Sequence, residues 1–285
     1  MVIKELLLKG MELLEQNPNS NSRLESKVIL AKLMNVDKSF LFAHDDFEVE
    51  EELKDEYFSL INKRKNGYPL QYLLGEVEFY GYRFKVKEGV LIPRADTEIL
   101  VSYIVDYINE NNLDNYRLLE IGVGSGAIIL SIAKSCPNGE LIGVDISEEA
   151  LKIAKENKEH LKISNVTLIK SDLFEVFLNE PIKEKFDIIV SNPPYIDKEE
   201  MGKLQKELEY EPQIALFGGE DGLEYYKRIS NDARDFLKTG GIIAFEIGLT
   251  QGESVRNILD DLGYRDISII KDLEQRDRVV VAYKD

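Results

Sequence analysis

Residues 117–134 read RLLEIGVGSGAIILSIAK, and this stretch decides the fold. Its first part, from Arg117 to Ile121, has the apolar character of a buried strand, and a helical pattern runs from Ile128 to Lys134. The glycines between them let the backbone approach a ligand at the N-terminus of the helix. The stretch therefore predicts a parallel α/β sheet whose ligand site lies at the carboxyl ends of the strands.

Apolar strands and helices alternate along the rest of residues 93–285. Helical spacing separates most of the strands, for example at residues 149–161 and 225–237. Only a loop separates the last two strands, which predicts an antiparallel hairpin at one edge. We therefore expect an α/β fold with a seven-stranded, mostly parallel Rossmann-like sheet and an antiparallel edge strand. The predicted strands are residues 117–121, 140–145, 166–170, 186–191, 241–247, 266–271 and 279–283.

The first 75 residues show helical patterns and no convincing strand. Ser22, with Glu25 three residues later, is typical of a capping box at the start of a helix, and another helix is predicted for residues 49–65. From residue 76 to residue 92 the apolar period changes to two, which predicts a β-hairpin. The expected domains are a helical substrate-recognition domain at 1–75, a hairpin linker at 76–92 and a catalytic domain at 93–285.

The charge of the chain argues against a nucleic-acid partner, and the lack of a long apolar run argues against a membrane partner. The net charge is −17, and residues 1–75, with 10 basic and 13 acidic residues, are not a basic arm. The basic cluster Lys63-Arg64-Lys65 is expected to be a solvated helix end. No apolar run is long enough to span a membrane.

Cysteine and histidine are too few to support metal or disulfide chemistry. Cys136 is the only cysteine, which indicates a reducing, cytoplasmic setting. His44 and His160 are far apart in polar surroundings, so both are expected at the surface and no metal site is predicted. No exposed apolar repeat demands a second copy, and a monomer is expected.

A second informative stretch, Asn192-Pro193-Pro194-Tyr195, directly follows the predicted strand at 186–191. The amide oxygen of Asn192 and the carbonyl of Pro193 can accept both N–H groups of a planar nitrogen. Tyr195 can stack on its plane, and the prolines keep the acceptors rigid. Such a site suits methyl transfer to an amide or aromatic amine, because it aligns a poor nucleophile. The alternative interpretation is a stiff turn without chemistry.

Acidic residues near three predicted strand ends favour S-adenosylmethionine as the methyl donor. Glu120 precedes the glycines, where a carboxylate suits a cationic amino group and repels a pyrophosphate. Asp145 suits a ribose diol, and Asp172, followed by Leu173, suits an adenine. The glycines also fit a dinucleotide pattern, so a nicotinamide or flavin dinucleotide is the alternative cofactor. The alternatives for the acids are a solvated strand end at Glu120 and a helix cap at Asp172.

Further motifs resemble the release factor glutamine methyltransferase family, and the resemblance extends over most of the chain. Each motif is weak alone, and their order and spacing carry the resemblance. Asp96-Thr97, taken by itself, could be only a helix cap. The stretches are PLQYLLG at 69–75, EFYG at 78–81, LIPRADTE at 91–98, EPQIALFGGEDGL at 211–223 and DRV at 277–279.

The resemblance implies a site, a substrate and a partner. It implies that Asn192, Pro193, Pro194 and Tyr195 hold the side-chain amide of the glutamine in the Gly-Gly-Gln loop of peptide-chain release factors, whose methylation modulates translation termination. It also implies that residues 1–75 help bind the factor and that S-adenosylhomocysteine is the product. Family members often carry Asp where this chain has Glu120, which leaves the contact of Glu120 open. The residues implied to bind S-adenosylmethionine are Glu120, Gly122, Val123, Gly124, Ser125, Gly126, Asp145, Asp172, Leu173 and Asn192.

Two other functions are compatible with the Asn192 to Tyr195 stretch. An adenine-amino methyltransferase acting on DNA or RNA would use the same acceptors, because an exocyclic amine also offers two N–H donors. It would need a cationic route for a flipped base, which the acidic balance disfavours. A noncatalytic binding protein would hold the cofactor without turning it over.

Overall fold

The computed structural model describes residues 1–179 and 184–285. These residues form two compact units. The helical unit comprises Met1–Glu76 with Leu204–Tyr210, and the larger unit comprises the described residues of Val77–Lys203 with Glu211–Asp285. No sequence pattern indicated that Leu204–Tyr210 belongs to the helical unit. None of the helices in the described residues is long and apolar enough to cross a membrane.

The helical unit is built around apolar residues of its three longer helices. The helix α2 is capped by Asn21, whose Oδ1 accepts the N–H of Leu24 at 3.2 Å. The prediction of Ser22 as the cap is therefore wrong, because Ser22 is already the first helical residue. Glu25 still closes the turn by accepting the N–H of Asn21 at 3.1 Å. The helices are α1 (Ile3–Leu14), α2 (Ser22–Met34), α3 (Lys38–Ala43), α4 (Glu51–Lys65) and α5 (Leu70–Leu74).

Arg64, in the last turn of α4, is buried, so the prediction of a solvated helix end at 63–65 is wrong for this residue. Its Nε donates to Glu25 Oε2 at 2.6 Å, and its Nη1 donates to Glu207 Oε1 at 2.7 Å. Burial raises the pKa of the Glu25 carboxyl, but the hydrogen bonds from Arg64 and Ser20 outweigh it and leave the pKa below its usual range. Removing Glu25 or Arg64 alone would leave a buried charge without its partner, so either substitution should destabilise this unit.

A short β-hairpin opens the larger unit, with strands β1 (Glu76–Phe79) and β2 (Tyr82–Lys85). Tyr80 and Gly81 at its turn have φ angles of 51° and 74°, as a two-residue type I′ turn requires. The hairpin is shorter than the predicted linker, because residues 86–92 have no strand structure.

The sheet of the larger unit confirms the predicted seven-stranded, mostly parallel α/β fold. Its strands are β3 (Arg117–Ile121), β4 (Glu140–Asp145), β5 (Val166–Lys170), β6 (Phe186–Ser191), β7 (Leu237–Glu246), β8 (Tyr264–Lys271) and β9 (Asp277–Lys284). The order is β5-β4-β3-β6-β7-β9-β8, and the first five strands are parallel. The predicted hairpin forms one edge, with the antiparallel β9 lying between β7 and β8.

Helices cover both faces of this sheet. Alternate strand residues point to opposite faces, so Leu118 belongs to one apolar cluster, with residues of α6, α7 and α8, and Leu119 belongs to another, with residues of α9, α11 and α12. Burial on both faces explains the continuous apolar runs of the central strands. The helices are α6 (Glu98–Glu110), α7 (Ala127–Ser135), α8 (Glu148–His160), α9 (Glu175–Asn179), α10 (Lys198–Met201), α11 (Glu224–Phe236) and α12 (Gly252–Asp261).

Candidate active site

The carboxyl ends of β3, β4, β5 and β6 meet at one cleft in the larger unit. The strand β3 pairs with β4 on one side and with β6 on the other, so the strand order reverses here. Open parallel sheets bind ligands at such a switch point. The predicted site residues that line the cleft are Gly122, Gly124, Asp145, Asp172, Leu173, Asn192, Pro193 and Pro194.

Gly122 and Gly124 present their backbone to this cleft. Their φ angles are 77° and 52°, which L side chains rarely adopt. A Cβ placed on either residue would have no described protein atom within 4 Å, so the space beside the loop is open. Gly126 differs, because a Cβ there would lie 2.9 Å from Leu130 Cδ1. The loop therefore offers room for a ligand at its first two glycines and packs against α7 at the third.

The other predicted residues of this loop lie beneath it. Val123 and Ser125 are 4% and 3% exposed and do not line the cleft. The carbonyl of Ser125 accepts a hydrogen bond from Asn157 Nδ2 at 2.9 Å, which ties the loop to α8. Direct contact of Val123, Ser125 or Gly126 with a cofactor stays a prediction.

Glu120 is buried under the loop, so the alternative of a solvated strand end is wrong. Its Oε2 accepts the N–H of Ile129 at 2.9 Å, in the first turn of α7. Burial raises the pKa of this carboxyl well above its ordinary value. Glu120 holds the start of α7 and does not line the cleft, and its predicted contact with a cofactor amine stays a prediction.

Asp145, the last residue of β4, faces the cleft and orders the glycine loop. Its Oδ2 accepts the N–H of Gly124 at 2.9 Å, and its Oδ1 accepts the N–H of Ser147 at 2.8 Å. Burial raises the pKa of the carboxyl, and these hydrogen bonds oppose that effect. Each oxygen keeps a further lone pair, so Asp145 can also accept hydrogen bonds from a ligand in the cleft.

Asp172 and Leu173 form the next part of the wall, just after β5. At the start of α9, Ser171 Oγ accepts the N–H of Val176 at 3.0 Å. The Asp172 carboxylate accepts a hydrogen bond from Arg228 Nη2 at 3.2 Å, and its alternative role as a helix cap stays a prediction. Leu173 has a φ of 46°, a strained value for leucine, and such residues concentrate at ligand sites.

The stretch from Asn192 to Tyr195 leaves β6 and is held from two sides. Asn192 Nδ2 donates to Thr97 Oγ1 at 3.3 Å, and Pro193 and Pro194 line the cleft. The carbonyl of Tyr195 accepts a hydrogen bond from Gln251 Nε2 at 3.0 Å. Burial raises the pKa of the Tyr195 phenol to about 12, so the ring is neutral at ordinary pH. Tyr195 itself does not line the cleft, and its stacking on a substrate stays a prediction.

Gly218 packs directly against the backbone of this stretch. A Cβ on Gly218 would lie 2.6 Å from the carbonyl oxygen of Pro194 and 2.7 Å from Cα of Tyr195. Neither backbone atom can move aside without shifting the stretch. The glycine therefore allows the chain to approach Pro194 and Tyr195 closely.

We predict that Gly218→Ala lowers the free energy of unfolding by at least about 1 kcal/mol, because overpacking against backbone costs this much. Urea denaturation measures the change. Gly202→Ala is the matched control, since its Cβ would meet only the carbonyl of Glu199 at 3.4 Å. Equal stability of the two variants would contradict the close packing at Gly218.

Two residues of the site were not predicted from the sequence. Thr97 makes no side-chain cap to α6, so the alternative of a helix cap is wrong for Thr97, and its hydroxyl contacts Asn192 instead. Glu246 ends β7, and the Thr97 hydroxyl and the Asn192 amide both lower the pKa of its buried carboxyl. An acid at the end of a predicted parallel strand, as at Asp145, was the available signal for Glu246. Among residues 1–179 and 184–285, no cluster of histidine, cysteine and acidic side chains could hold a metal ion.

Comparisons with known proteins agree with this geometry. The family model described as "Methyltransferase domain" matches residues 112–263, and the model described as "PrmC N-terminal domain" matches residues 5–75. The hMettl16 catalytic domain in complex with MAT2A 3'UTR hairpin 6 is 14% identical with a TM-score of 0.56, covering 82% of each chain, which shows the fold alone. The fold and the matched models define the chain as a methyltransferase.

Curated relatives identify the family. The release factor glutamine methyltransferase of Clostridium acetobutylicum is 41% identical over 100% of this chain and 99% of its own length. The release factor glutamine methyltransferase of Fusobacterium nucleatum is 43% identical over 98% of this chain and 78% of its own length. This chain belongs to the release factor glutamine methyltransferase family.

Proposed function

We propose that this protein transfers a methyl group from S-adenosylmethionine to the side-chain amide nitrogen of the glutamine in the Gly-Gly-Gln motif of peptide-chain release factors. The modification takes place in the cytoplasm and modulates translation termination. The observation that carries the proposal is that Asn192 and Pro193 line the same cleft as Gly122 and Asp145. Acceptors for the nucleophile and anchors for the methyl donor therefore share one space. Family membership supports the release factor as substrate and the helical unit as the part that helps bind it.

The residues of the cleft fit S-adenosylmethionine. This cofactor supplies a methyl group that is already activated by a sulfonium. The open space at Gly122 and Gly124 would receive its amino-acid part, Asp145 would accept hydrogen bonds from the ribose hydroxyls, and Asp172 with Leu173 would hold the adenine edge and face. A carboxylate-lined cleft also suits its positive charge.

The alternative of a dinucleotide fits the loop poorly. A pyrophosphate would need free backbone N–H groups at the glycines. The N–H of Gly124 donates to Asp145, and those of Gly122 and Val123 donate to the carbonyl of Val144 at 2.8 and 3.1 Å. These donors are already used inside the protein, which supports a cofactor without phosphates.

The substrate amide would be oriented by the stretch from Asn192 to Tyr195. Asn192 Oδ1 and the carbonyl of Pro193 accept its two N–H groups and direct the nitrogen toward the methyl group. Positive charge develops on this nitrogen during transfer, and both acceptors stabilise it. The neutral ring of Tyr195 would pack on the amide plane. The methylated nitrogen is acidic enough to lose its proton to water, so no histidine base is required.

We predict that Asp145→Ala weakens binding of S-adenosylmethionine about tenfold, because it removes polar contacts to the ribose and to the glycine loop. Turnover at saturating cofactor should fall less. Calorimetry measures the affinity, with Asp261→Ala, exposed at the end of α12, as the control. Unaltered affinity in Asp145→Ala would count against the ribose assignment.

The function is tested with S-adenosylmethionine that carries a labelled methyl group. Purified release factor, DNA and RNA are incubated separately with the protein. We expect label in the release factor, and no label when the glutamine of its Gly-Gly-Gln motif is replaced by alanine. Label in nucleic acid alone would favour the adenine-amino alternative and reject the glutamine proposal. Cofactor binding without transfer to any of the three would indicate a noncatalytic protein.

A further inference from the structure

Asn192 lies beside a buried carboxylate that the proposed mechanism does not use. Glu246 is the last residue of β7 and is 2% exposed. In the parallel ladder, Ser191 pairs with Phe245, so the next positions along the two strands are Asn192 and Glu246. Thr97, in the 3-10 turn at Ala95–Thr97, completes this group, which we call the amide network (Thr97, Asn192 and Glu246).

The hydrogen bonds of the amide network fix which way the Asn192 amide points. Asn192 Nδ2 donates to Thr97 Oγ1 at 3.3 Å, and the Thr97 hydroxyl and the Asn192 amide both act on the Glu246 carboxyl as polar donors that lower its pKa. A carboxylate can only accept, so the NH2 end of Asn192 faces Glu246. The Oδ1 end is then left to accept from a substrate.

Glu246 is not neutralised by a salt bridge among the described residues. The charge of Arg278 acts on Glu246, but Arg278 is paired with Asp96 at 2.9 Å and with Asp272 at 3.2 Å. Glu246 Oε2 is buried without a hydrogen-bond partner in the described residues. The amide network therefore contains an acid whose charge state is set by a few neighbours.

We propose that Glu246 is a positioning residue that, when ionised, holds the Asn192 amide with Oδ1 toward the substrate nitrogen and strengthens Oδ1 as an acceptor. The inference rests on the proposed function of Asn192. A hydrogen bond to an anion polarises the donor amide, which places more negative charge on its oxygen. That charge faces the nitrogen where positive charge develops during methyl transfer. Glu246 itself gives up no proton to the substrate.

The surroundings of Glu246 make this role dependent on pH. Burial raises the pKa of its carboxyl to about 7, and the charge of Asp96 also raises it. The hydrogen bonds from Thr97 and Asn192 and the charge of Arg278 oppose this effect. The other titratable groups that act on Glu246 are the phenols of Tyr195 and Tyr226, both with raised pKa and neutral at this pH. Only ionised Glu246 polarises Asn192, so turnover should increase as the pH rises through about 7.

The test compares Glu246→Gln with the wild-type protein over a range of pH at saturating substrates. Glutamine keeps the shape and one acceptor but not the charge, so we expect kcat to fall about tenfold. The rise of kcat through about pH 7 should disappear, while KM for the release factor and the Kd of the cofactor change less than about twofold, because no contact to either is removed. Glu253→Gln, an exposed carboxylate on α12, should leave kcat and its pH profile unchanged.

Thr97→Val gives an independent readout if Glu246→Gln does not fold. Valine removes the hydroxyl that accepts from Asn192 and acts on Glu246, so kcat should fall while its dependence on pH remains. Unchanged kcat in Thr97→Val, or a wild-type pH profile retained by a folded Glu246→Gln, would overturn the inference. If the proposed function itself is wrong, the wild-type protein will leave release factor unmethylated at every pH. This result distinguishes failure of the proposed function from failure of the inference on Glu246.

Discussion

Replacement of Asn192 by alanine is expected to lower turnover of release factor by at least about 10²-fold, the effect of losing one oriented polar contact in a transition state. The substitution removes the acceptor Oδ1 and leaves the donated N–H of the substrate unpaired. It does not touch Asp145 or Asp172, so affinity for S-adenosylmethionine should stay within a few fold. The loss should therefore lie in kcat and not in cofactor binding.

Single-turnover methyl transfer, together with calorimetry of the cofactor, separates these quantities. Asn257→Ala, exposed on α12, is the matched control and should retain full turnover. Unchanged turnover in Asn192→Ala would refute the role given to Asn192. A parallel loss of cofactor affinity of the same size would instead indicate that Asn192 mainly holds the cofactor.

Glu246→Gln is expected to raise the free energy of unfolding relative to the wild-type protein as the pH rises. Over the same pH range it is expected to lower turnover. The pKa of Glu246 is raised by burial from 4.5 to about 7, so the folded protein binds a proton that the unfolded chain has released. The contribution of the Glu246 carboxyl to the free energy of unfolding is fully present below about pH 4.5. It is lost as the pH rises toward 7 and above. Glutamine does not titrate, so between about pH 5.5 and pH 8 the variant should gain about 2 kcal/mol relative to the wild-type protein.

Urea denaturation of both proteins at several pH values measures this difference. The difference between the two free energies of unfolding isolates Glu246, because Glu120 and Asp145, whose pKa values are also raised by burial, are common to both proteins. A constant difference across this range would show that Glu246 is already ionised in the folded protein at pH 5.5. That outcome would remove the physical basis for a titration near pH 7.

The sheet and the cleft could largely be predicted from the sequence because local pattern determines them. The stretch 117–134 joins a strand, a glycine turn and a helix within a few residues, and the structure places these elements as predicted. Asp145 and Asn192 each end or follow an apolar run, so a parallel sheet brings them to the same edge. These inferences need only strand periodicity and the direction of the chain.

The remaining features depend on contacts between distant parts of the chain. Thr97, Asn192 and Glu246 are far apart in sequence, and only the pairing of β6 with β7 and the contact of Asn192 with Thr97 bring them together. The burial of Arg64 has the same origin, because its partner Glu207 lies in a segment far along the sequence. The hydrogen bond from the N–H of Ile129 to the Glu120 carboxylate could not be predicted either, because it depends on how α7 begins after the glycine loop.

Tandem mass spectrometry of a release factor incubated with this protein and S-adenosylmethionine tests the central claim most directly. The account predicts one added methyl on the side-chain amide of the glutamine in the Gly-Gly-Gln motif, and no such methyl with Asn192→Ala. A methyl on any other residue, or an unmodified release factor beside methylated adenine in nucleic acid, would contradict it.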